Sequence, residues 1–392
     1  MLKIYKIVEL DCKFTDRIPQ SYQDDPAISA ALAAVSYRPL LRNWTLRPDD
    51  RLFVLDDPYN QQLRSGYEDM AAQAHAIAPC GELLFERIWC LGRDGLRVDC
   101  DNGVVFIGHS VNWSREYFNW WIEASDVGFI QWLNDDTFLA DFGESERRDD
   151  DIVMMKAPGY GIFGHWLLDL VPQLVLTRFM AASDDVRFVF DHLTDWMKTL
   201  LVAVGITHVD SYQHLLTEHH HMRMPTGLKC GFALAQPING LAWSELRARF
   251  NHMNCSAAPA PATRLFISRK KWAGQRSLAD YALLEDMMAS LGFTIFYPEE
   301  HDLTAQAHAF SAARLIVGED GSALHSVLFT QPGAVLGILM QPDRMNLWHA
   351  GICDTMGHRL AYHQLPAADP SGDAPLDLDA IATFVQRLEA AG

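Results

Sequence analysis

The sequence predicts an α/β protein in which two α/β domains face each other across a cleft and a β-rich region precedes them. Three observations lead there. Between Arg264 and Met340 short apolar runs alternate with amphipathic stretches of helical length, the pattern of a parallel sheet with crossover helices. From Ile152 to about Asn254 the same alternation occurs a first time. Before that, short segments of period two are separated by turn residues. The expected divisions are a β-rich region over 1–128, a first α/β domain over 129–258, and a second over 259–392 that ends in a helix.

In chain order, RLFVLDD, LFERIWCLG, LRVDC and VVFIG read as strands, with hairpin turns at Gly92-Arg93-Asp94-Gly95 and Asp101-Asn102-Gly103. Trp113, Tyr117, Phe118, Trp120 and Trp121 follow. Such rings can stack on sugars, yet their spacing also makes a helix stripe, and packing in a core or interface is the preferred reading. Asp149-Asp150-Asp151 contains the Asp-x-Asp form that can hold a divalent cation on a diphosphate, but in its charged surroundings it reads as a turn before the strand IVMMKAP. A helix then starts after Gly161 or Gly164. It carries His165 and Asp169 four residues apart on one face, with Leu167, Leu168, Val171, Leu174 and Val175 on the buried side. VRFVFD is the next strand and TDWMKTLLVAVGI the next helix, ended by Gly205. His219-His220-His221 are contiguous, so they do not all face one ion from a regular element and read as a solvated loop. CSAAPAPAT, from Cys255 to Thr263, is a linker.

RLFISRKK is a buried strand that ends at once in hydroxyl and cations. A helix near Leu278–Leu291 stops at Gly292, FTIFYPEE is a second strand, and Leu303, Ala307, Phe310 and Ala313 mark a second helix. RLIVG and AVLGILM are further strands. After them come a helix with Trp348 and His349, the strand HRLAYHQLP, and a last helix with Ile381, Phe384, Val385 and Leu388 on one face.

In a parallel sheet, ligands sit outside the carboxyl ends of the strands. Two such ends here carry SRKK and GEDGS, a combination that suits an anion. Gly318 and Gly321 let backbone approach a ligand, Ser322 caps a helix start, and Arg269, Lys270 and Arg276 supply countercharge.

SRKK with Arg276, followed by VGEDGSALHSVLFTQPGAVL, resembles the C-terminal motif of the family 61 glycosyltransferases, a family associated with capsular polysaccharide biosynthesis. GYGIFGHWLLDLVPQL resembles that family's G-H-W-L-x-D-x-x-P segment, with His165, Trp166, Asp169 and Pro172 in place. Where the common form is V-G-x-H-G-A, this chain has Asp320 and Ser322 at the histidine and alanine positions. The resemblance implies the two-domain GT-B architecture of Rossmann-like domains. It implies an inverting transfer of a hexosyl or pentosyl group from a nucleotide-sugar donor to a glycan, glycolipid or other hydroxyl acceptor, in surface or capsular polysaccharide synthesis. The first α/β domain would serve the acceptor and the second the donor. Ser268, Arg269, Lys270, Arg276, Gly318, Glu319, Gly321, Ser322 and His325 are the expected donor-binding residues. His165, Asp169 and Asp320 are alternative catalytic bases. A cationic clamp of this kind requires no metal, and no cofactor is expected. Two other classes stay open, a dinucleotide-dependent oxidoreductase and a noncatalytic carbohydrate-binding protein. The first lacks G-x-G-x-x-G after either opening strand.

Composition narrows the partners. The chain has 392 residues, 49% of them hydrophobic, enough for a sizeable core. A formal net charge of -18 argues against nucleic acid and against a polybasic hold on anionic lipid. The seven cysteines, Cys12, Cys80, Cys90, Cys100, Cys230, Cys255 and Cys353, have no C-x-x-C spacing and read as reduced thiols, so a cytoplasmic location is expected. MLKIYKIVELDC lacks the apolar core of a signal peptide, no segment reaches the length of a membrane span, and Asn112-Trp113-Ser114 reads as an accidental glycosylation triplet. A homo-oligomer remains open.

Overall fold

A computed structural model of the chain describes residues 3–10, 20–33, 35–41, 48–73, 80–91, 96–99, 104–108, 129–141, 146–155, 161–180, 186–190, 192–211, 216–226, 237–253, 255, 260–271, 281–342, 346–367 and 376–391. The fold is mixed α/β with parallel strands, and the chain divides into two compact units. Unit 1 comprises Met1–Asn43, Ile77–Gly161 and Gln173–Lys229, and unit 2 comprises Trp44–Ala76, Ile162–Pro172 and Cys230–Gly392. The linear boundaries at 128 and 258 do not coincide with this interleaved division.

Unit 1 is built on one sheet. Its strands are β1 (Lys3–Leu10), β2 (Val35–Leu41), β3 (Cys80–Leu91), β4 (Leu96–Asp99), β5 (Val104–Gly108), β6 (Phe129–Trp132), β7 (Thr137–Asp141), β8 (Glu146–Met154), β9 (Arg187–Phe190), β10 (Val209–Ser211) and β11 (Leu216–Thr226). Their order is β10-β9-β8-β11-β3-β4-β5-β1-β7-β6, with β2 on β3. Antiparallel pairing of β3 with β4 and β4 with β5 follows from the short connections read in the sequence. Two expectations fail here. Asp149-Asp150-Asp151 belongs to β8 and not to a turn, and His219-His220-His221 belongs to β11 and not to a loop. In both, pairing to neighbouring strands outweighs the polar composition: β11 pairs β3 over ten registered positions. The aromatic run Trp113–Trp121 lies outside the described residues.

Unit 2 carries the parallel sheet: β12 (Arg264–Ile267), β13 (Thr294–Phe296), β14 (Leu315–Glu319), β15 (Val335–Met340) and β16 (Arg359–Gln364), in the order β13-β12-β14-β15-β16. Every residue of β14 and β15 is buried, as expected of strands covered on both faces. Helices Tyr281–Ser290 and Leu378–Ala391 bring Leu284, Met288, Ile381, Phe384, Val385 and Leu388 into one core with Phe266, Val317 and Leu339. Burying each of these side chains contributes about 1.5–3 kcal/mol. The first of the two helices ends at Gly292, whose φ of 81° places it where a glycine costs least, and Phe293 N–H donates back to Met288 O. Helices Pro237–His252, Leu303–Ala312, Ser322–Phe329 and Trp348–Met356 pack on one another. Asp302 caps the second of them by accepting from Ala305 N–H at 2.8 Å.

RLFVLDD is not a strand of an N-terminal meander. Phe53 forms a single bridge to Leu360 of β16, and the helix Pro58–Gln73 follows, so this stretch belongs to unit 2. Val54 N–H donates to Leu360 O and Leu360 N–H to Leu52 O, which satisfies backbone groups of an edge strand.

Candidate functional site

The sheet of unit 2 winds outward in both directions from β12. Its switch point therefore falls between β12 and β14, the place where doubly wound sheets bind ligands. Ile267 stands opposite Gly318 in the register, so the residues leaving β12, Ser268 and Arg269, emerge beside Glu319 and Asp320. A Cβ on Gly318 would meet Leu324 Cδ2 at 2.9 Å and the Ile267 carbonyl at 3.1 Å, so only glycine lets the following helix pack this close.

Arg269 is the cation aimed at this point. Its backbone N–H donates to the Tyr281 hydroxyl at 3.0 Å, and its Nη1 donates to the Asp320 carbonyl at 2.9 Å. The guanidinium lies over Gly321, where a Cβ would stand 2.7 Å from Nη1. Ser268 and Lys270 are engaged elsewhere. Glu285 accepts from Ser268 Oγ at 2.7 Å, from Tyr297 Oη at 2.9 Å and from Lys270 Nζ at 3.0 Å. Burial pushes the Glu285 carboxyl up, but these three donors outweigh it and hold the group below the usual carboxylate range. Burial and the same carboxylate push the Tyr297 phenol up to about 12. Lys271 pairs with Glu300 and lies 4.0 Å from the Tyr297 ring centroid. Arg276 lies outside the described residues.

Beyond β14, Asp320 is almost fully buried. Its Oδ1 accepts from Asn346 Nδ2 at 2.9 Å and its N–H donates to Leu339 O. Glu319 Oε1 accepts from Gln341 Nε2 at 3.3 Å. The helix start differs from the expectation: Ser322–Phe329 is a 3₁₀ helix whose N-cap is Gly321, so Ser322 is its first residue and does not cap it. His325, on that helix, is fully buried, and neither ring nitrogen has a hydrogen-bond partner among the described residues. Burial, then the nearby His349 and His165, hold its pKa well below the ordinary histidine range. Both effects favour the neutral ring.

Helix Phe163–His165 continues as a π-helical turn, Trp166–Leu170, and then as helix Val171–Met180. The turn is an irregularity of the kind that accompanies functional positions. His165 Nδ1 lies 2.7 Å from Asp169 Oδ2, with the His165 side chain 24% exposed and that of Asp169 12%. Trp166, Leu167 and Leu168 are buried, and Trp243 Nε1 donates to the Leu167 carbonyl at 2.8 Å. This segment was expected on a domain facing the donor side. It is instead part of unit 2, in contact with the helix after β14. A Cβ on Gly164 would meet His325 Nδ1 at 2.6 Å and Ser322 Cβ at 2.8 Å, so the two G-rich motifs of the sequence touch through that glycine.

His165, Asp169, Arg269, Gly318, Glu319, Asp320, Gly321, Ser322 and His325 are therefore gathered in one unit at the carboxyl ends of β12 and β14. Three further residues complete the arrangement and were not picked out as site residues. Trp348 stands edge-on to His165 with ring centroids 5.8 Å apart, His349 lies 5.0 Å from His325, and Asn346 holds Asp320. His349 Nδ1 is 3.6 Å from Asp320 Oδ1. Their one sequence signal is position: they open the helix that follows β15, whose carboxyl end adjoins that of β14.

Helix segment and strand-end loops are both recovered by comparison with known families. Residues 163–337 match the family Glycosyltransferase 61. This is the family that the two motifs resemble, and the matched segment runs from the His165 helix into β15, just under half of the chain. The glycosyltransferase 61 segment supports a glycosyltransferase. No curated protein matches the chain. Among solved structures, the bacterial iron-containing dodecameric glycosyltransferase TibC from enterotoxigenic E. coli H10407 aligns with 67% of this chain and 75% of its own, at 8% identity and a TM-score of 0.25, too slight an overlap to argue from. Among the described residues no helix is long and apolar enough to cross a membrane.

Proposed function

We propose that this chain is an inverting glycosyltransferase of GT-B type that moves a hexosyl or pentosyl group from a nucleotide-sugar donor to a glycan or glycolipid hydroxyl, without a metal, in surface or capsular polysaccharide synthesis in the cytoplasm. The observation that carries the reading is the His165–Asp169 pair, 2.7 Å apart, on a helix packed against the strand-end loop that Arg269 covers.

An inverting transfer needs a base for the acceptor hydroxyl and a clamp for the departing diphosphate. Asp169 orients His165 through Nδ1, which leaves Nε2 to take the hydroxyl proton as the new glycosidic bond forms. The carboxylate then stabilises the imidazolium. Asp320 suits this role less well because its carboxyl is buried and held by Asn346. Arg269 spends Nη1 on the Asp320 carbonyl, which fixes the plane of the guanidinium and directs its other N–H groups to an anion beside Gly321 and Ser322. Lys270, tied to Glu285, acts on the loop more than on the ligand.

The test is calorimetry and thermal shift with a panel of nucleotide sugars, nucleoside diphosphates and NAD(P). A nucleoside diphosphate should bind and stabilise the fold, and Arg269→Ala should weaken it about tenfold or more while leaving Tm within a few degrees. Stabilisation by NAD(P) alone would overturn the reading in favour of an oxidoreductase. Turnover should survive EDTA, and loss of activity restored by Mn²⁺ or Mg²⁺ would overturn metal independence.

A further inference from the structure

The loop leaving β12 carries consecutive cations, Arg269, Lys270 and Lys271, and the structure commits them differently. Lys270 pairs with Glu285, and Lys271 with Glu300. Among the described residues no carboxylate pairs with Arg269, whose Nη1 reaches across the switch point to the Asp320 carbonyl instead.

This sorting is done by two side chains of one helix. Tyr281 and Glu285 lie one turn apart at the start of helix Tyr281–Ser290, so they share a face. The Tyr281 hydroxyl accepts the Arg269 backbone N–H at 3.0 Å. Glu285 accepts the Ser268 hydroxyl at 2.7 Å, and with its proton so directed Ser268 Oγ accepts the Lys270 N–H at 3.2 Å. A serine oxygen that accepts from the N–H two residues on closes a turn around the residue between them, here Arg269. The other Glu285 oxygen takes the Lys270 ammonium at 3.0 Å, and Tyr297, bonded to the same carboxylate at 2.9 Å, lies under Lys271. Tyr281 and Glu285 are each only 8% exposed, so this bracket is held rigidly by its surroundings.

We propose that Tyr281 and Glu285 are positioning residues for the donor diphosphate, which fix the turn at 268–270 and thereby aim the Arg269 guanidinium at the anion. The inference rests on the nucleotide-sugar reading above, in which Arg269 is the clamp. Ordering a long side chain at the moment of binding weakens a complex, whereas a guanidinium set beforehand meets a diphosphate in its paired geometry. The bracket does that ordering in the folded chain. Both residues act through Arg269, and both lie outside the SRKK and GEDGS motifs.

The experiment is a double-mutant cycle on the full chain, with UDP and GDP binding read by calorimetry and Tm recorded for each protein. Tyr281→Phe keeps the buried ring and removes only the hydroxyl. It should weaken the better-bound nucleoside diphosphate about three- to tenfold, the range of one neutral hydrogen bond. In an Arg269→Ala background the same change should weaken binding by less than about twofold, because nothing is left to aim. Glu285→Ala, which releases the Ser268 turn, should weaken the wild-type chain by about threefold or more. Tyr281→Phe preserves the core, so the cycle decides the matter even if Glu285→Ala lowers Tm too far for binding to be measured. An equal loss from Tyr281→Phe with and without Arg269 would mark a purely structural role and overturn the inference while the nucleotide reading stands. Wild-type-like binding by Tyr281→Phe, or tighter binding by Glu285→Ala through the freed Lys270, would do the same. A wild-type chain that binds neither nucleoside diphosphate would overturn both.

Discussion

His165 and Asp169 are four residues apart on a helix interrupted by a π turn, and the 2.7 Å contact between them makes a directed imidazole. His165→Ala should lower kcat by roughly 10²- to 10⁴-fold with donor affinity little changed. Asp169→Asn should lower kcat in the same direction, because an amide no longer stabilises the imidazolium; kcat and donor Kd measured on both variants check the assignment. If Asp320→Asn alone lost turnover while still binding donor, Asp320 would be the base instead. Gly164 gives a second residue-scale prediction. The ideal Cβ of Gly164→Ala would sit 2.6 Å from His325 Nδ1, so the helix must shift away from the β14 loop, and activity should fall about tenfold or more. Adding His325→Ala should restore part of that loss and not all, since Ser322 Cβ at 2.8 Å remains in the way. The spacing of His165 and Asp169 is visible in the sequence because helix geometry is local. The contact of Gly164 with His325, across 161 positions of chain by their numbering, is not.

At the scale of elements, strand and helix meet most tightly at Gly337 of β15. A Cβ there would stand 2.5 Å from Leu388 Cδ1 and 3.2 Å from Phe384 Cε1, both on helix Leu378–Ala391. Gly337→Ala should destabilise by about 1–3 kcal/mol through overpacking. Combined with Leu388→Ala, the loss should be less than the sum of the two single losses, as expected of residues in contact; chemical denaturation of the four proteins gives the coupling. The contact between residues 48–73 and helix Trp348–Met356 makes a different prediction. Burial raises the Asp354 carboxyl pKa, and hydrogen bonds from Asp49 N–H and Tyr67 offset this only in part. A carboxyl raised in the folded state stabilises most when protonated, so its contribution is present below its unfolded pKa and lost as pH rises. Asp354→Asn removes the charge and keeps both contacts, with Asp49 N–H still donating to Oδ1 and the Tyr67 hydroxyl now accepting from Nδ2. It should therefore raise Tm by up to a few degrees at pH 7–8 and match the wild type near pH 4, as read by thermal unfolding across that range. The apolar run around Phe53 is evident in the sequence, but its partner strand is not, because β16 lies some three hundred residues away.

At the scale of the whole molecule, three buried histidines and the half-buried His363 among the described residues are expected to set the acid limit. Burial depresses the pKa values of His325, His349 and His363, and brings His358 to about 4, with Arg247 adding to the last. A depressed base stabilises above its unfolded pKa, and that contribution is lost as pH falls through the folded value, because the unfolded chain takes up protons that the folded one refuses. Stability should thus decline from about pH 6.5 toward pH 4, before most carboxylates titrate. His358→Gln should flatten the decline, whatever its effect on Tm at neutral pH, and Tm measured against pH for both proteins tests this. The opposite trend, a stability rising through that window, would contradict the neutral buried state.

The sequence by itself determined the local grammar of the fold: the apolar runs that became β12, β14, β15 and β16, the glycine stop at Gly292, and the helix that holds His165 and Asp169 on one face. These follow from period and steric restriction within a few residues. It also placed SRKK and GEDGS at strand ends, and those two strands turned out to be neighbours at the switch point of the sheet. Tertiary structure alone decided which of those groups are committed to one another. Lys270 and Ser268 are joined to Glu285, Asp320 to Asn346, and Asn60 to Tyr362 across 302 positions. It also turned the acidic triplet and the histidine run into strands, and brought the His165 helix into the same unit as the β14 loop. The reason is physical. Periodicity reports which face of an element is buried, whereas the partner of a charge or a strand edge is set by whatever distant segment packs against it, and no local pattern carries that information.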